Sequence, residues 1–252
     1  MIFRASALAW LLSAGAALAC PPVSETLLMH SCWGQARAEI VLLPEQADSV
    51  TRAPAASLSV TGAYTGTEPR ANGAPNPVGL FVHGGRVINP NLARMDGVLV
   101  IDPEHGVPEI YPRTTVRTKG GAVDLTDPEA RAAFAADAAA RGLSVLQSHL
   151  LIVDGTLDVR PVEDAPTAKR RFLILDEHGY GIAQTAGSET LYQAGLWVAE
   201  TYEPRMALNL DMGSYDYCLL QMKDGQEICG VLGVTETQRL SNLLRLVLGP
   251  DE

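Results

Sequence analysis

Short apolar runs, rich in Val, Ile and Leu and separated by turn residues, follow one another along most of this sequence. Runs of only a few residues that are bounded by Gly, Pro, Asn and Asp are typical of strands rather than of helices. The segments 83–85, 154–155, 176–179 and 224–225 have the composition of hairpin turns. We predict strands over residues 38–43, 58–64, 78–82, 86–88, 97–101, 109–111, 143–147, 150–153, 171–175, 180–184, 206–210 and 217–222.

Three segments instead have apolar residues at helical spacing. The first begins after Asp127, a residue that caps helices well, and stops at Gly142. The second begins after Ser188, and the third begins with a capping box made of Thr235 and Gln238. The apolar face of the third helix is predicted to contain Leu240, Leu243, Leu244 and Val247.

Many strands and few helices indicate an α+β fold, with a mixed, mainly antiparallel sheet and a few packed helices. The length suits a single domain, which we place at residues 20–252. The chain has 19 Lys and Arg against 29 Asp and Glu, so its net charge is −10. An acidic chain without a basic stripe is not expected to bind nucleic acid, because phosphate neutralisation supplies most of that affinity. The sequence leaves the oligomeric state open.

The first nineteen residues have the features of a secretory signal peptide. One positive charge precedes an apolar run over 5–19, which is shorter than the roughly 20 apolar residues that a transmembrane helix needs. The run ends in Ala17-Leu18-Ala19, a typical cleavage site before Cys20. We predict a signal peptide at 1–19 and a periplasmic or secreted mature chain with no membrane span. The alternative is a lipoprotein anchored through Cys20, although Ala17 stands where lipoproteins usually have Leu.

Four cysteines remain after cleavage: Cys20, Cys32, Cys218 and Cys229. An even number in an exported chain predicts two disulfides, and three connectivities are possible. Pairing of Cys20 with Cys32 and of Cys218 with Cys229 is the simplest, since a hairpin turn separates the second pair. The sequence has no C-x-x-C, zinc-protease, P-loop or nucleophile-elbow motif, so we expect no metal and no other cofactor.

A candidate functional acid follows the strand predicted over 206–210. Asp211 ends this strand and is followed by Met212, Gly213 and Ser214. A carboxylate beside the N–H groups of a tight turn can serve catalysis or ligand binding. It can also simply accept hydrogen bonds from its own turn, and the spacing alone does not decide between these roles.

Five segments occur in an order that resembles the phosphodiester glycosidase family. They are Val60-Thr61-Gly62-Ala63-Tyr64, Pro77-Val78-Gly79-Leu80 through Gly85-Arg86, Gln147-Ser148-His149-Leu150 through Asp154-Gly155, Arg171-Phe172, and Asn209-Leu210-Asp211-Met212-Gly213-Ser214. Enzymes of this family cleave the glycosidic bond to phosphate in sugar-1-phosphodiesters, and the bacterial members are typically exported. The resemblance implies a hydrolase whose partner is a sugar phosphate or glycan.

The resemblance also implies roles for individual residues. Asp211 would stabilise the oxocarbenium-like centre or activate water, and Arg171 would bind the phosphate through its planar guanidinium. The remaining predicted substrate-binding residues are Thr61, Gly62, Ser148, His149, Asn209, Gly213 and Ser214.

Several positions depart from the family pattern. Thr61 replaces Asn, Phe172 replaces Thr, and His149, Met212 and Ser214 stand where the family has Gly. Because glycines let a backbone approach a ligand closely, these changes bear on the chemistry more than on the fold. The alternative function is a non-catalytic module of the same fold that binds an envelope glycan or protein.

Overall fold

The computed structural model describes residues 23–32, 34–212, 215–230 and 236–249. The helices are α1 (Ala47–Thr51), α2 (Pro128–Ala140) and α3 (Leu191–Tyr202), with a 3₁₀ turn at Thr237–Arg239. The strands are β1 (Leu27–Cys32), β2 (Ala36–Leu42), β3 (Ser57–Thr61), β4 (Phe81–His83), β5 (Arg86–Asn89), β6 (Gly97–Ile101), β7 (Pro108–Pro112), β8 (Val116–Thr118), β9 (Gly121–Val123), β10 (Ser144–Ser148), β11 (Leu150–Val153), β12 (Thr156–Leu157), β13 (Arg171–Leu175), β14 (Gly179–Gln184), β15 (Met206–Leu210), β16 (Cys218–Met222), β17 (Gly225–Ile228) and β18 (Asn242–Leu248).

The strands form three larger sheets and a two-stranded ribbon. Their orders are β1-β14-β13-β15-β11-β12, β5-β4-β10-β6-β7, β17-β16-β3-β18-β2 and β8-β9. Every pairing between the named strands is antiparallel. The prediction of a mainly antiparallel fold with a few helices is confirmed. The predicted sheet was mixed, but none of the named strands pairs in parallel with another. The single domain over 20–252 stays a prediction.

The main core lies where the inner faces of the three sheets meet. The side chains of β13 show how the sheets and helices pack, because successive side chains of a strand point to opposite faces of its sheet. Leu173 packs into the core between the sheets, whereas Phe172 packs outward against α3. On the second sheet, Val145 points outward against Phe134 of α2. The helices thus cover the outer faces, and the sheets supply the centre.

The prediction of a third helix is wrong. Residues of its supposed apolar face lie instead in β18, which pairs with both β2 and β3. Leu243 and Leu244 are fully buried on opposite faces of this strand, in two different core clusters. A short apolar run that is buried on both faces has no alternation, so its periodicity cannot distinguish it from a helix. The capping residue Thr235 lies outside the described residues.

Smaller differences concern element ends and elements that the sequence analysis missed. The N-cap of α3 is Thr190 rather than Ser188, and its capping box is completed by Gln193. The strand β1 and the ribbon β8-β9 were not predicted. The predicted hairpins at 83–85, 176–179 and 224–225 are present.

The cysteine prediction is confirmed for one pair. Cys218 and Cys229 form a disulfide across the β16–β17 hairpin, and Cys32 is also disulfide-bonded. Cys20 and the predicted signal peptide lie outside the described residues. Among the residues that the structure does describe, none of the helices has the length and apolar character to cross a membrane.

Candidate functional site

The predicted site residues that the structure describes meet where strands of the three sheets end. Thr61 ends β3, Asp211 follows β15, and His149 is the single residue between β10 and β11. The chain therefore passes from the second sheet to the first at His149 without a loop. Arg171 begins β13 beside the end of β15, where it pairs with Leu210. Stretches that are distant in sequence are brought together because each of them is a strand end at one junction.

Two buried hydroxyl groups hold the end of β15 in place. Thr61 Oγ1 donates to the carbonyl oxygen of Asp211, and Ser148 Oγ donates to that of Asn209. Backbone bonds reinforce both contacts, with the Asp211 N–H donating to Gly62 O at 2.9 Å and the Asn209 N–H to His149 O at 2.9 Å. Thr61 and Ser148, which were predicted to bind substrate, therefore donate to backbone in this structure.

Gly62 is required by close packing rather than by an unusual backbone conformation. A Cβ atom at this position would overlap Oδ1 of Asn242 on β18. That amide oxygen accepts a hydrogen bond from the Ala63 N–H at 2.8 Å. The absence of a side chain at Gly62 thus lets β3 and β18 approach each other beside Asp211.

The carboxyl group of Asp211 is almost completely buried. It is 4% exposed, and its Oδ2 accepts a hydrogen bond from the Thr65 N–H at 3.3 Å. Burial raises the pKa of Asp211 to about 7, and nearby Asp216 adds to this rise. The Thr65 hydrogen bond and the charge of Arg171 oppose it. Near neutral pH the protonated and ionised forms are therefore both populated.

Arg171 lies in the interior and binds groups of the protein itself. Its side chain has no exposed surface, and Nη1 donates to Asp216 Oδ1 at 3.0 Å and to Tyr217 O at 3.2 Å. Nη2 donates to Gln184 Oε1 at 3.2 Å. Burial lowers the pKa of Arg171, and the charges of Asp216 and Asp211 oppose that shift. Arg171, which was predicted to bind phosphate, is thus the cation of a buried charge cluster.

A second group of side chains lies beside β15 and consists of Asn209, Tyr64 and His149. Asn209 Nδ2 donates to the Tyr64 hydroxyl oxygen, and the Tyr64 and His149 rings meet edge to face with centroids 6.0 Å apart. Burial and the charge of Asp211 raise the pKa of Tyr64 to about 12. Burial lowers the pKa of His149, which favours the neutral imidazole. Asn209 Oδ1 is buried and has no hydrogen-bond partner among the described residues.

Tyr64 and His149 line a cavity of about 290 Å³. Arg170 also lines it, with Nε donating to Glu189 O at 3.3 Å and Nη2 to Pro166 O at 3.1 Å. The complete lining is Tyr64, His149, Val159, Arg160, Val162, Ala165, Pro166, Arg170, Leu191 and Tyr192. Tyr64 and Arg170 were not among the predicted site residues. The adjacent Arg170-Arg171 pair was the available signal, since neighbouring side chains near a strand point to opposite sides.

Two predicted site residues, Gly213 and Ser214, lie outside the described residues. Within the described ranges, no group of three or more His, Cys, Asp or Glu side chains is arranged to hold a metal ion. The candidate site consists of the buried carboxyl of Asp211, the buried Arg171–Asp216 ion pair, and a neighbouring cavity that contains Arg170. Tyr64 and Asn209 connect the buried groups to the cavity.

No family model matches this sequence, and no curated protein is significantly similar to it. The pro-peptide-inhibited catalytic domain of zebrafish N-acetylglucosamine-1-phosphodiester α-N-acetylglucosaminidase is 11% identical, with a TM-score of 0.47 over 85% of this chain and 73% of that chain. A hypothetical protein from Synechocystis is 10% identical, with a TM-score of 0.51 over 86% of this chain and 57% of that chain. The second likeness shows a shared fold alone, and this chain spans less than two thirds of that protein.

The two adjacent arginines differ in their expected contribution to stability. Replacing Arg171 by Met removes the cation from a buried carboxylate, which we expect to lower the free energy of unfolding by about 3–5 kcal/mol. Arg170→Met, the matched control, should lower it by about 1 kcal/mol or less, because Arg170 is only half-buried. Chemical denaturation of the two variants measures this difference. Equal losses would contradict the structural role of Arg171.

The raised pKa of Asp211 predicts a specific dependence of stability on pH. The folded-state pKa of about 7 exceeds the ordinary value of 3.8, so between these values the folded chain holds a proton that the unfolded chain has lost. Stability is therefore lost as pH rises through this window. Relative to Asp211→Asn, the unfolding free energy of the wild type should fall by about 2–3 kcal/mol from about pH 5 to about pH 8.

The control for this titration is Asp48→Asn, which changes a carboxyl that is 93% exposed. Its difference from the wild type should stay constant over the same range. A constant difference for Asp211→Asn as well would show that the carboxyl titrates normally.

Proposed function

We propose that this protein is an exported hydrolase that cleaves the glycosidic bond to phosphate in a sugar-1-phosphodiester. The observation that carries the proposal is a buried carboxyl with a pKa of about 7, Asp211, whose charge acts on Tyr64 at the edge of a cavity that also contains Arg170. The order of family-like segments in the sequence supports the same chemistry.

In the proposed reaction, the bond between the anomeric carbon and the phosphate oxygen breaks with development of positive charge on the sugar. The Asp211 carboxylate stabilises that charge or activates the attacking water. A phosphate is a good leaving group, so it needs little help from a general acid. Asn209, whose Nδ2 donates to the Tyr64 hydroxyl oxygen, holds that ring at the edge of the cavity.

The two arginines divide the role that the sequence analysis gave to Arg171. Arg170 lines the cavity, and no carboxylate of the described residues lies within ion-pair distance of it, so its guanidinium is the one that binds the phosphate. Arg171 acts from the interior, because its charge lowers the pKa of Asp211 and keeps the carboxyl able to ionise. His149 contacts the ligand, whereas Thr61, Gly62 and Ser148 position the strand end.

A non-catalytic binding module is the second candidate. The observation that favours it is the burial of Asp211 and Met212, which are only 4% and 6% exposed. A carboxyl that is enclosed in this way can shape a pocket without reaching a reacting atom. Binding of a sugar phosphate without turnover would distinguish this function from hydrolysis.

Activity assays test the catalytic role of Asp211. We expect the wild type to release free sugar from N-acetylglucosamine-1-phosphodiesters or related sugar-1-phosphodiesters, and Asp211→Asn to be slower by about 100-fold or more. Asp48→Asn, with its exposed carboxyl, should keep wild-type activity. If the wild type releases no sugar from any of these compounds but binds them by calorimetry, the binding module replaces the enzyme.

Export is tested by the mass of the mature chain. Cleavage after Ala19 predicts a periplasmic or secreted protein that begins at Cys20 with an unmodified amino group. A mass increased by attached acyl chains would instead show the lipoprotein, and an uncleaved chain would contradict export through a signal peptide.

A further inference from the structure

The cavity beside Tyr64 has a predominantly apolar wall. Five aliphatic residues contribute to it: Val159, Val162, Ala165, Pro166 and Leu191. The rings of Tyr64, His149 and Tyr192 add aromatic surface. The volume of about 290 Å³ lies at the small end of the range for small-molecule sites, which is roughly 300–1,000 Å³. Such a lining favours a hydrocarbon group over a second sugar, whose hydroxyls would lose their hydrogen bonds to water.

The polar groups of the same cavity favour an anion. Arg160 and Arg170 line it, and none of its described lining residues is Asp or Glu. The helix α3 begins at Leu191, so the positive end of its dipole faces the cavity as well. Burial lowers the pKa of His149 and so disfavours a positive charge on this residue, which leaves the two arginines as the main cations of the lining. The occupant that fits both features carries a negative group next to an apolar one.

The mouth of the cavity exposes an aliphatic side chain. Val162 lines the cavity and is 69% exposed, the largest exposure among the described large hydrophobic residues. It lies in the segment between β12 and β13, which also contributes Pro166 to the lining of the cavity. A hydrocarbon chain that extends out of the cavity past Val162 would bury this surface and gain stability in proportion to the area covered.

We propose that this cavity binds the hydrocarbon part of an alkyl phosphodiester, so that the substrate is a sugar-1-phosphate esterified to an apolar alcohol. The inference rests on the proposed function for the sugar half of the substrate. Arg170 then holds the phosphate at the boundary between the two halves. The chain runs from there along Val159, Leu191 and Val162.

The first experiment measures binding without turnover. Calorimetry with Asp211→Asn compares inorganic phosphate, butyl phosphate and octyl phosphate, each below the concentration at which micelles form. We expect octyl phosphate to bind at least about tenfold more tightly than butyl phosphate, because each buried methylene group contributes favourably. Octyl glucoside, which has the chain without the charge, should bind more weakly than octyl phosphate. Equal affinities for the two alkyl phosphates would overturn the proposal.

Two substitutions locate the binding site. Val162→Asp places a charge at the mouth and should weaken octyl phosphate binding by about tenfold, with little effect on inorganic phosphate. Val87→Asp, a substitution of another exposed valine outside the cavity, is the matched control and should leave both affinities unchanged. Arg170→Met should weaken binding of both ligands. If Val162→Asp and Val87→Asp behave alike, the hydrocarbon binds elsewhere and the proposal fails.

Turnover separates this inference from the proposed function. The wild type should hydrolyse an octyl ester of N-acetylglucosamine-1-phosphate at least about tenfold more efficiently, in kcat/KM, than the corresponding ester of mannose. Hydrolysis with equal efficiency would overturn the alkyl specificity and leave the proposed function intact. Chain-length-dependent binding without any hydrolysis would support the cavity assignment and contradict the enzyme.

Discussion

The candidate site depends on a small group of hydrogen bonds that joins three sheets at one point. Thr61, the last residue of β3, and the following Gly62 hold the backbone of Asp211, and Ser148 and His149 hold that of Asn209. Backbone groups that leave a strand in the interior must find new partners, since water cannot reach them. Here the three strand ends satisfy one another, and this requirement fixes the position of Asp211 to within hydrogen-bond geometry.

The same enclosure determines the charge state of the junction. Two carboxyl groups, those of Asp211 and Asp216, lie near one buried guanidinium, that of Arg171. The carboxylate that Arg171 hydrogen-bonds is that of Asp216, so Asp211 receives only the more distant attraction of the guanidinium, and burial raises its pKa. A proton on Asp211 leaves one negative and one positive charge in the interior. The raised pKa is thus a consequence of the fold, and it places the titration of this carboxyl near neutral pH, as the proposed reaction requires.

Sequence patterns identified most strands, because their runs are bounded by turn residues, and the Cys218–Cys229 pairing followed from the turn between the two cysteines. The error at β18 arose because Leu243 and Leu244 serve opposite faces of a central strand, and a double-sided burial pattern has no period of its own. The different surroundings of Arg170 and Arg171 could not be predicted either. Which of two adjacent side chains faces the interior depends on the register between β13 and β15, and that register is set by long-range pairing.

Tyr64 couples the junction to the cavity, because its hydroxyl lies in the fields of both Asp211 and Arg170, which shift its pKa in opposite directions. A phosphate bound at Arg170 would cancel the field of that guanidinium and would repel the Asp211 carboxylate. A bound phosphate therefore favours the protonated carboxyl. In the proposed reaction, positive charge develops on the sugar as the bond to phosphate breaks, and this positive charge favours the ionised carboxyl. The negative charge of Asp211 therefore stabilises the transition state more than the ground state.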